Sequence, residues 1–239
     1  LLNHVAARTG AKIEGEVVGG NLFTGELVLK DFSAARQGHE YSDFDLKAGS
    51  VRVNANVLSV CLGVAAFDDI QISELHGSYV RKKRPDGLRA RKKFDVSRLK
   101  VDSAMVRLTD STITGREIDS ELAIETMEVS PFRSDWALFD MLFGANASGK
   151  IGSSGFEIRN DRGIDQREVG WKIEGLPASV GAAYLGGPFS WIKSGTIDIE
   201  VLDRVEMSGE LNMKMSYRVV LRGIEAVVPD GLKGKNRLA

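Results

Sequence analysis

Ile197-Asp198-Ile199-Glu200-Val201 puts an apolar residue at every second position and an acid at each position between. Successive side chains of a β-strand point to opposite faces, so this stretch reads as a strand with one dry face and one wet face. The same period of two recurs on both sides of it. It predicts strands over Lys12 to Val18, Gly25 to Ala34, Phe44 to Val53, Phe67 to Glu74, Gly77 to Lys82, Phe94 to Val101 and Ala104 to Thr109. Further strands are predicted over Glu117 to Val129, Gly149 to Arg159, Glu168 to Glu174, Gly195 to Val201 and Glu206 to Val220. Glycine is frequent, at 26, and proline scarce, at 5, which suits many strands joined by tight turns. The chain is therefore mainly β.

Three segments read as helices. Leu1 to Thr9 closes at Gly10, a residue that tolerates the left-handed conformation of a helix stop. Asp135 to Phe143 follows Ser134, a good N-cap, and stops at Gly144. Ala178 to Leu185 starts after Pro177 and ends at Gly186-Gly187-Pro188. Arg81 to Lys93 carries eight basic residues around Pro85-Asp86-Gly87, and reads as a long basic hairpin loop inserted between strands. A weak echo flanks it, since Leu75 to Val80 and Val101 to Val106 share an apolar-polar-small-small-apolar-apolar order, the mark of a reused strand-turn-strand unit.

Composition narrows the chemistry. The 239 residues suffice for one large domain, and 32 Lys and Arg against 33 Asp and Glu give a net charge of -1. No global field draws such a chain to nucleic acid, so an electrostatic partner has to meet a local patch. The single cysteine, Cys61, sits in apolar surroundings, forms no internal disulfide and reads as a small buried hydrophobe. His4, His39 and His76 lack the spacing that puts two ligands on one face, and no metal or cofactor is predicted. There is no G-x-S-x-G elbow, and Gly144 to Ile151 fails as a phosphate loop because Ile151 stands where Ser or Thr is needed. The scattered aspartates fit strand ends and turns, so no catalytic residues are predicted and the chain reads as a non-enzyme.

The remaining candidates are apolar. Trp136, Phe139, Leu142 and Phe143 make the second helix apolar almost all round, which suits a plug at the end of a sheet or a lid over a groove. Tyr184, Phe189 and Trp191 form a second aromatic stretch, and Ile197 and Ile199 supply the dry face of the strand quoted first. In the basic segment, Arg81, Lys82, Lys83 and Arg84 belong to a solvated loop or to a contact with anionic headgroups or nucleic acid, and no aromatic platform for RNA accompanies them, which leaves headgroups as the expected contact.

One family pattern fits these pieces. Ala7-Arg8-Thr9-Gly10 before Ala11-Lys12-Ile13-Glu14-Gly15, then Leu22 to Phe32, Phe44 to Val53, Val57-Leu58 to Gly63 and Ile70 to Leu75 resemble, in order, the opening elements of AsmA-like proteins. The resemblance covers roughly residues 1 to 130, and the part from Trp136 onward is similar to type II secretion protein N. The basic insertion at 81–93 departs from the pattern. The resemblance implies one AsmA-like β domain over 1–239, with a long curved antiparallel sheet forming an open trough, a half-barrel or two sheets. It implies a periplasmic protein held in the inner membrane by a helix before Leu1, with this chain a fragment of something longer. Phospholipid acyl chains along an apolar groove between membranes are the implied cargo. The alternative is a structural or assembly module of the envelope or secretion apparatus, with envelope proteins as partners at its sheet edges.

Overall fold

The computed structural model describes residues 10–21, 23–40, 42–61, 65–83, 94–112, 117–133, 144–163, 166–185, 191–206 and 212–227. Thirteen strands belong to one sheet: β1 (Lys12–Asn21), β2 (Glu26–Arg36), β3 (Ser42–Ala55), β4 (Ala65–Arg81), β5 (Phe94–Val96), β6 (Leu99–Asp110) and β7 (Ile118–Val129), followed by β8 (Phe132–Arg133), β9 (Ala145–Ile151), β10 (Ser154–Arg162), β11 (Gln166–Pro177), β12 (Ile192–Glu206) and β13 (Asn212–Ala226). Eleven of them run side by side in the order β1-β2-β3-β4-β6-β7-β9-β10-β11-β12-β13, while β5 pairs β4 and β8. The sheet is long, curved and open, its two end strands β1 and β13 each lacking a second neighbour among the described residues.

Every step along this path is antiparallel except β4 to β6, which is parallel, as is β4 to β5. The basic segment therefore connects two parallel strands and is a crossover, correcting the hairpin read from its Pro-Asp-Gly turn. Parallel neighbours cannot be joined by a tight turn, whatever turn residues the connection holds. The two echoing segments lie inside β4 and β6 with no turn within either, and the register sets Leu75 opposite Ala104 and Ile72 opposite Val101. The units that match in space are thus Ile72-Ser73-Glu74-Leu75 and Val101-Asp102-Ser103-Ala104.

Strand boundaries move for local reasons. Phe67 to Glu74 and Gly77 to Lys82 fuse into the 17-residue β4. Gly149 to Arg159 divides at Gly152-Ser153, where Gly152 takes φ 60. Glu206 belongs to β12, so the last predicted strand starts instead at Asn212. Ala178–Leu185 is helical as predicted, and a five-residue helix at Val57–Cys61 was not foreseen. Asn56 caps the latter, its Oδ1 accepting the Ser59 N–H at 3.0 Å. The helices predicted over Leu1 to Thr9 and Asp135 to Phe143 lie outside the described residues.

Inside the strands, the alternation changes phase along one line. Leu29 and Phe32, Val51 and Ala48, Ile72 and Leu75, Val101 and Ala104, and Met127 and Ile124 are five pairs of facing apolar residues, each three apart in sequence instead of two. The extra residues are Asp31, Gly49, Glu74, Ser103 and Glu125, which oppose one another across β2, β3, β4, β6 and β7. Asp31, Glu74 and Ser103 adopt φ 48, 55 and 59, the left-handed region that side-chain-bearing residues rarely enter. An extra residue bends a strand and increases its twist, so five at one level crease the sheet. Neighbours β1 and β9 lack the extra residue, and register shifts appear where they meet the creased strands, between Glu14 and Glu16 and between Ile124 and Thr126.

Gly25 and Gly175 are two of the glycines whose backbone takes a positive φ. At Gly25 (φ 75) a Cβ would stand 2.1 Å from the Ala55 carbonyl oxygen, where the first hairpin meets the end of β3. At Gly175 (φ 68) β11 carries its own bulge, and both backbone groups are satisfied by side chains. Its N–H donates to Asp198 Oδ1 at 2.8 Å, and its carbonyl accepts the hydroxyl of buried Ser154 at 2.9 Å.

Candidate functional site: one apolar face across the sheet

Residues directly opposed in a ladder share a face of the sheet, so the register sorts the side chains. Starting at β1, the row Val17, Leu29, Val51, Ile72, Val101, Met127, Ala147, Ile158, Trp171, Val201, Tyr217 crosses all eleven strands of the main path. Every member is apolar or aromatic. The residues beside them in sequence form the row Glu16, Lys30, Ser50, Ser73, Asp102, Thr126, Ser148, Glu157, Lys172, Glu200, Arg218 on the other face. Every member of that row is polar or charged. A second row on the apolar face, beyond the crease, passes from Phe32 through Ala48, Leu75, Ala104, Ile124, Gly149, Phe156, Ile173 and Ile199 to Val219.

This face carries the core and is graded along its length. Leu29, Ala48 and Val51 are buried against Leu27, Phe32, Val53, Ile72 and Leu75. Towards the far end the same face opens to solvent, and on β13 Met213, Met215, Tyr217, Val219 and Leu221 are all more than half exposed, Tyr217 at 78%. A sheet edge that presents five consecutive inward positions as exposed apolar residues is unusual for a surface facing only water. Two buried carboxylates interrupt the face: Asp110, paired with Arg81 at the end of β6, and Asp203, 7% exposed, which opposes Val169 and Met215 and whose Oδ1 has no hydrogen-bond donor.

The polar face is held by ion pairs between neighbouring strands. Arg222 donates to Asp198 Oδ2 from both Nε (2.9 Å) and Nη2 (2.8 Å), and Arg204 pairs with Glu168. The Gly175 N–H first, and Arg222 second, hold the Asp198 carboxyl below its usual range. The Thr109 hydroxyl and Arg107 do the same for Asp119. The Lys82 ammonium does so for Asp43. Among the described residues no group of three His, Cys, Asp or Glu is placed to hold a metal, and no helix is long and apolar enough to cross a membrane.

The candidate residues fall as follows. Ile197 is buried and Ile199 half-buried on the apolar face, opposite Leu221 and Val219 of β13. Trp191 is half-buried just before β12, and its carbonyl accepts the Val227 N–H at 3.0 Å. Tyr184 is the last residue but one of the helix Ala178–Leu185, and its side chain lies outside what the structure describes. Trp136, Phe139, Leu142, Phe143 and Phe189 lie outside the described residues, as does Arg84. Arg81 pairs with Asp110 at 3.2 Å, and Lys82 reaches Asp43 at 2.5 Å and the His39 carbonyl at 3.2 Å, while Lys83 is exposed. Sequence reasoning named Ile199 from the two transverse rows and missed their other members, Trp171, Val201 and Tyr217 above all. Their signal was the alternation itself, but which residues line up across strands depends on registers that only the fold supplies. No protein-family description matches the chain, and no curated protein matches it.

Proposed function

We propose that the apolar face is a trough on which phospholipid acyl chains lie, and that the protein binds or conducts lipid between the membranes of a cell envelope. The observation that carries this reading is the eleven-strand row from Val17 to Tyr217, apolar at every position and backed by an equally unbroken polar row. Strands stand about 4.8 Å apart, so the row spans about 48 Å. Lipid tails need no directional partner; covering apolar surface yields about 25 cal/mol per Å², or about 0.8 kcal/mol per methylene of a chain of about 16 carbons. The polar face meanwhile keeps the sheet in water. A periplasmic location, with a membrane anchor outside this chain, belongs to the same proposal and rests on the resemblance to AsmA-like proteins.

The test is uptake of a fluorescent phosphatidylethanolamine by the delipidated protein, followed by co-elution on gel filtration. Ile199→Glu and Val201→Glu place a charge on partly exposed positions of the apolar face, and each is expected to lower uptake at least fivefold. Ser148→Glu, on the polar face, is expected to leave uptake unchanged. Absence of uptake by the unsubstituted chain, or equal uptake by all three folded variants, removes the reading.

A further inference from the structure

We propose that the free edge of β13 is a docking strand for an extended segment of another polypeptide, one whose side chains alternate between apolar and acidic. The inference stands whether or not lipid occupies the apolar face, and it gives the assembly role of the sheet edge a definite partner chemistry. β13 is 15 residues long and pairs only with β12 among the described residues, which leaves a run of backbone donors and acceptors along its outer side. An extended peptide adds to such an edge through main-chain hydrogen bonds, and the side chains on either face select which peptide.

On the apolar face, Met213, Met215, Tyr217, Val219 and Leu221 are exposed, whereas their partners one strand inward, from Val205 to Ile197, are buried or half-buried. Another strand with apolar residues at alternate positions would cover them as β13 covers β12. The usual guards of an edge are missing on that side: no proline interrupts β13, and none of those five positions is charged.

The sign of the partner follows from the polar face. Its row runs Glu157, Lys172, Glu200, Arg218 across β10 to β13, changing sign at every strand and ending on a cation at the open edge. Lys214 and Arg222 lie on the same face of β13, Lys214 opposite Arg204 and Arg222 held by Asp198, and Arg218 and Arg222 line a shallow depression at this end of the polar face. The next strand in the series carries acids. Charges of one sign directly opposed across strands are destabilising, which argues against β13 pairing with β13 of a second copy, where Lys214, Arg218 and Arg222 would face one another. The other free edge, β1, offers Glu14 and Glu16, but Glu14 is held by Lys12 at 2.7 Å. Gly15, Gly19 and two register shifts also leave β1 only Ile13 and Val17 with which to cover five exposed residues. The chain's own residues 228–239 hold Lys233, Lys235 and Arg237 against the single acid Asp230, the wrong balance for this edge.

The strand that β13 already accepts on its inner side supplies the probe. A capped, fluorescein-labelled peptide copying Ser194 to Leu202 presents Ile197, Ile199 and Val201 on one face and Asp198 and Glu200 on the other. In anisotropy titrations at low salt the delipidated protein is expected to bind it saturably, and a peptide with lysine at both acidic positions at least tenfold more weakly. Arg218→Glu in the protein is expected to invert that preference, and Tyr217→Lys to abolish binding of both peptides with the circular dichroism unchanged. No saturable binding, or binding indifferent to the peptide's charge, overturns the proposal. So does self-association of the chain that Arg218→Glu removes, because the edge then belongs to a second copy. Should Arg218→Glu fail to fold, the comparison of the two peptides on the unsubstituted protein decides alone.

Discussion

Leu29→Ala and Leu221→Ala are the same chemical change on the same face of the same sheet, and the structure assigns them different costs. Leu29 is 2% exposed and packs among Leu27, Phe32, Val53, Ile72 and Leu75, whereas Leu221 is 57% exposed on the edge strand. Truncating a buried leucine costs about 2–5 kcal/mol, a transfer contribution plus that of the cavity left behind. The face around Leu29 is one side of a single sheet, so its neighbours relax into the gap more readily than in a sealed core, and about 3 kcal/mol is expected. Leu221 has less than half of its side chain to lose from contact, and full burial of a leucine contributes about 1.5–3 kcal/mol, so its truncation should cost about 1 kcal/mol or less. Urea unfolding at 25 °C, followed by far-UV circular dichroism with the m-value held as a check on two-state behaviour, measures both. Costs that agree within about 0.5 kcal/mol, or a larger cost at Leu221, would refute the graded face, because β13 would then be covered rather than open.

The crease and the ion pairs give further tests. Ser103→Gly relieves a left-handed serine and is expected to be neutral or stabilising by up to about 1 kcal/mol, while Ser73→Gly, one strand inward in ordinary extended backbone, should lose about 0.5–1 kcal/mol in the same urea assay. Gly25→Ala forces a Cβ towards the Ala55 carbonyl at a positive φ and should cost at least about 2 kcal/mol, seen as a lower urea midpoint. Asp43, Asp119 and Asp198 are all held below the ordinary carboxyl range in the folded chain. Their contribution is therefore fully present above the unfolded value near pH 4 and disappears as the pH falls through the lower folded values. A stability profile from pH 7 to pH 2 should show that loss, and Asp198→Asn should flatten its acid limb.

What the sequence made legible was the strand content, because a period of two survives without any knowledge of neighbours. Ile197 to Val201 announces its two faces by itself, and Asp198 and Glu200 do lie on the polar side. Three features stayed hidden for definite reasons. The phase change at Glu74 and Ser103 looks in one dimension like a strand end, so the pattern divides β4 there, whereas the one at Asp31 leaves no mark in the strand predicted over Gly25 to Ala34. The parallel step from β4 to β6 depends on pairing across a crossover, while Pro85-Asp86-Gly87 carries the local signature of a hairpin. The helix at Val57–Cys61 is a single turn, too short for a period of 3.6 to emerge. The apolar face as a site was legible only in part, since Ile197 and Ile199 name two of its positions and the transverse rows that make it continuous arise from register.

The shared level of Asp31, Gly49, Glu74, Ser103 and Glu125 constrains how this chain can change over time. Removing Glu74 alone would rotate one half of β4 by a full side-chain position, sending Leu75 and Tyr79 into water and drawing His76 and Ser78 inward against unaltered neighbours. A matching loss in four other strands would be needed before registers agreed again. Single-residue insertions and deletions at this latitude are therefore barred one by one, so the fold can drift in side chains and in its connecting loops while the length of each creased strand stays fixed.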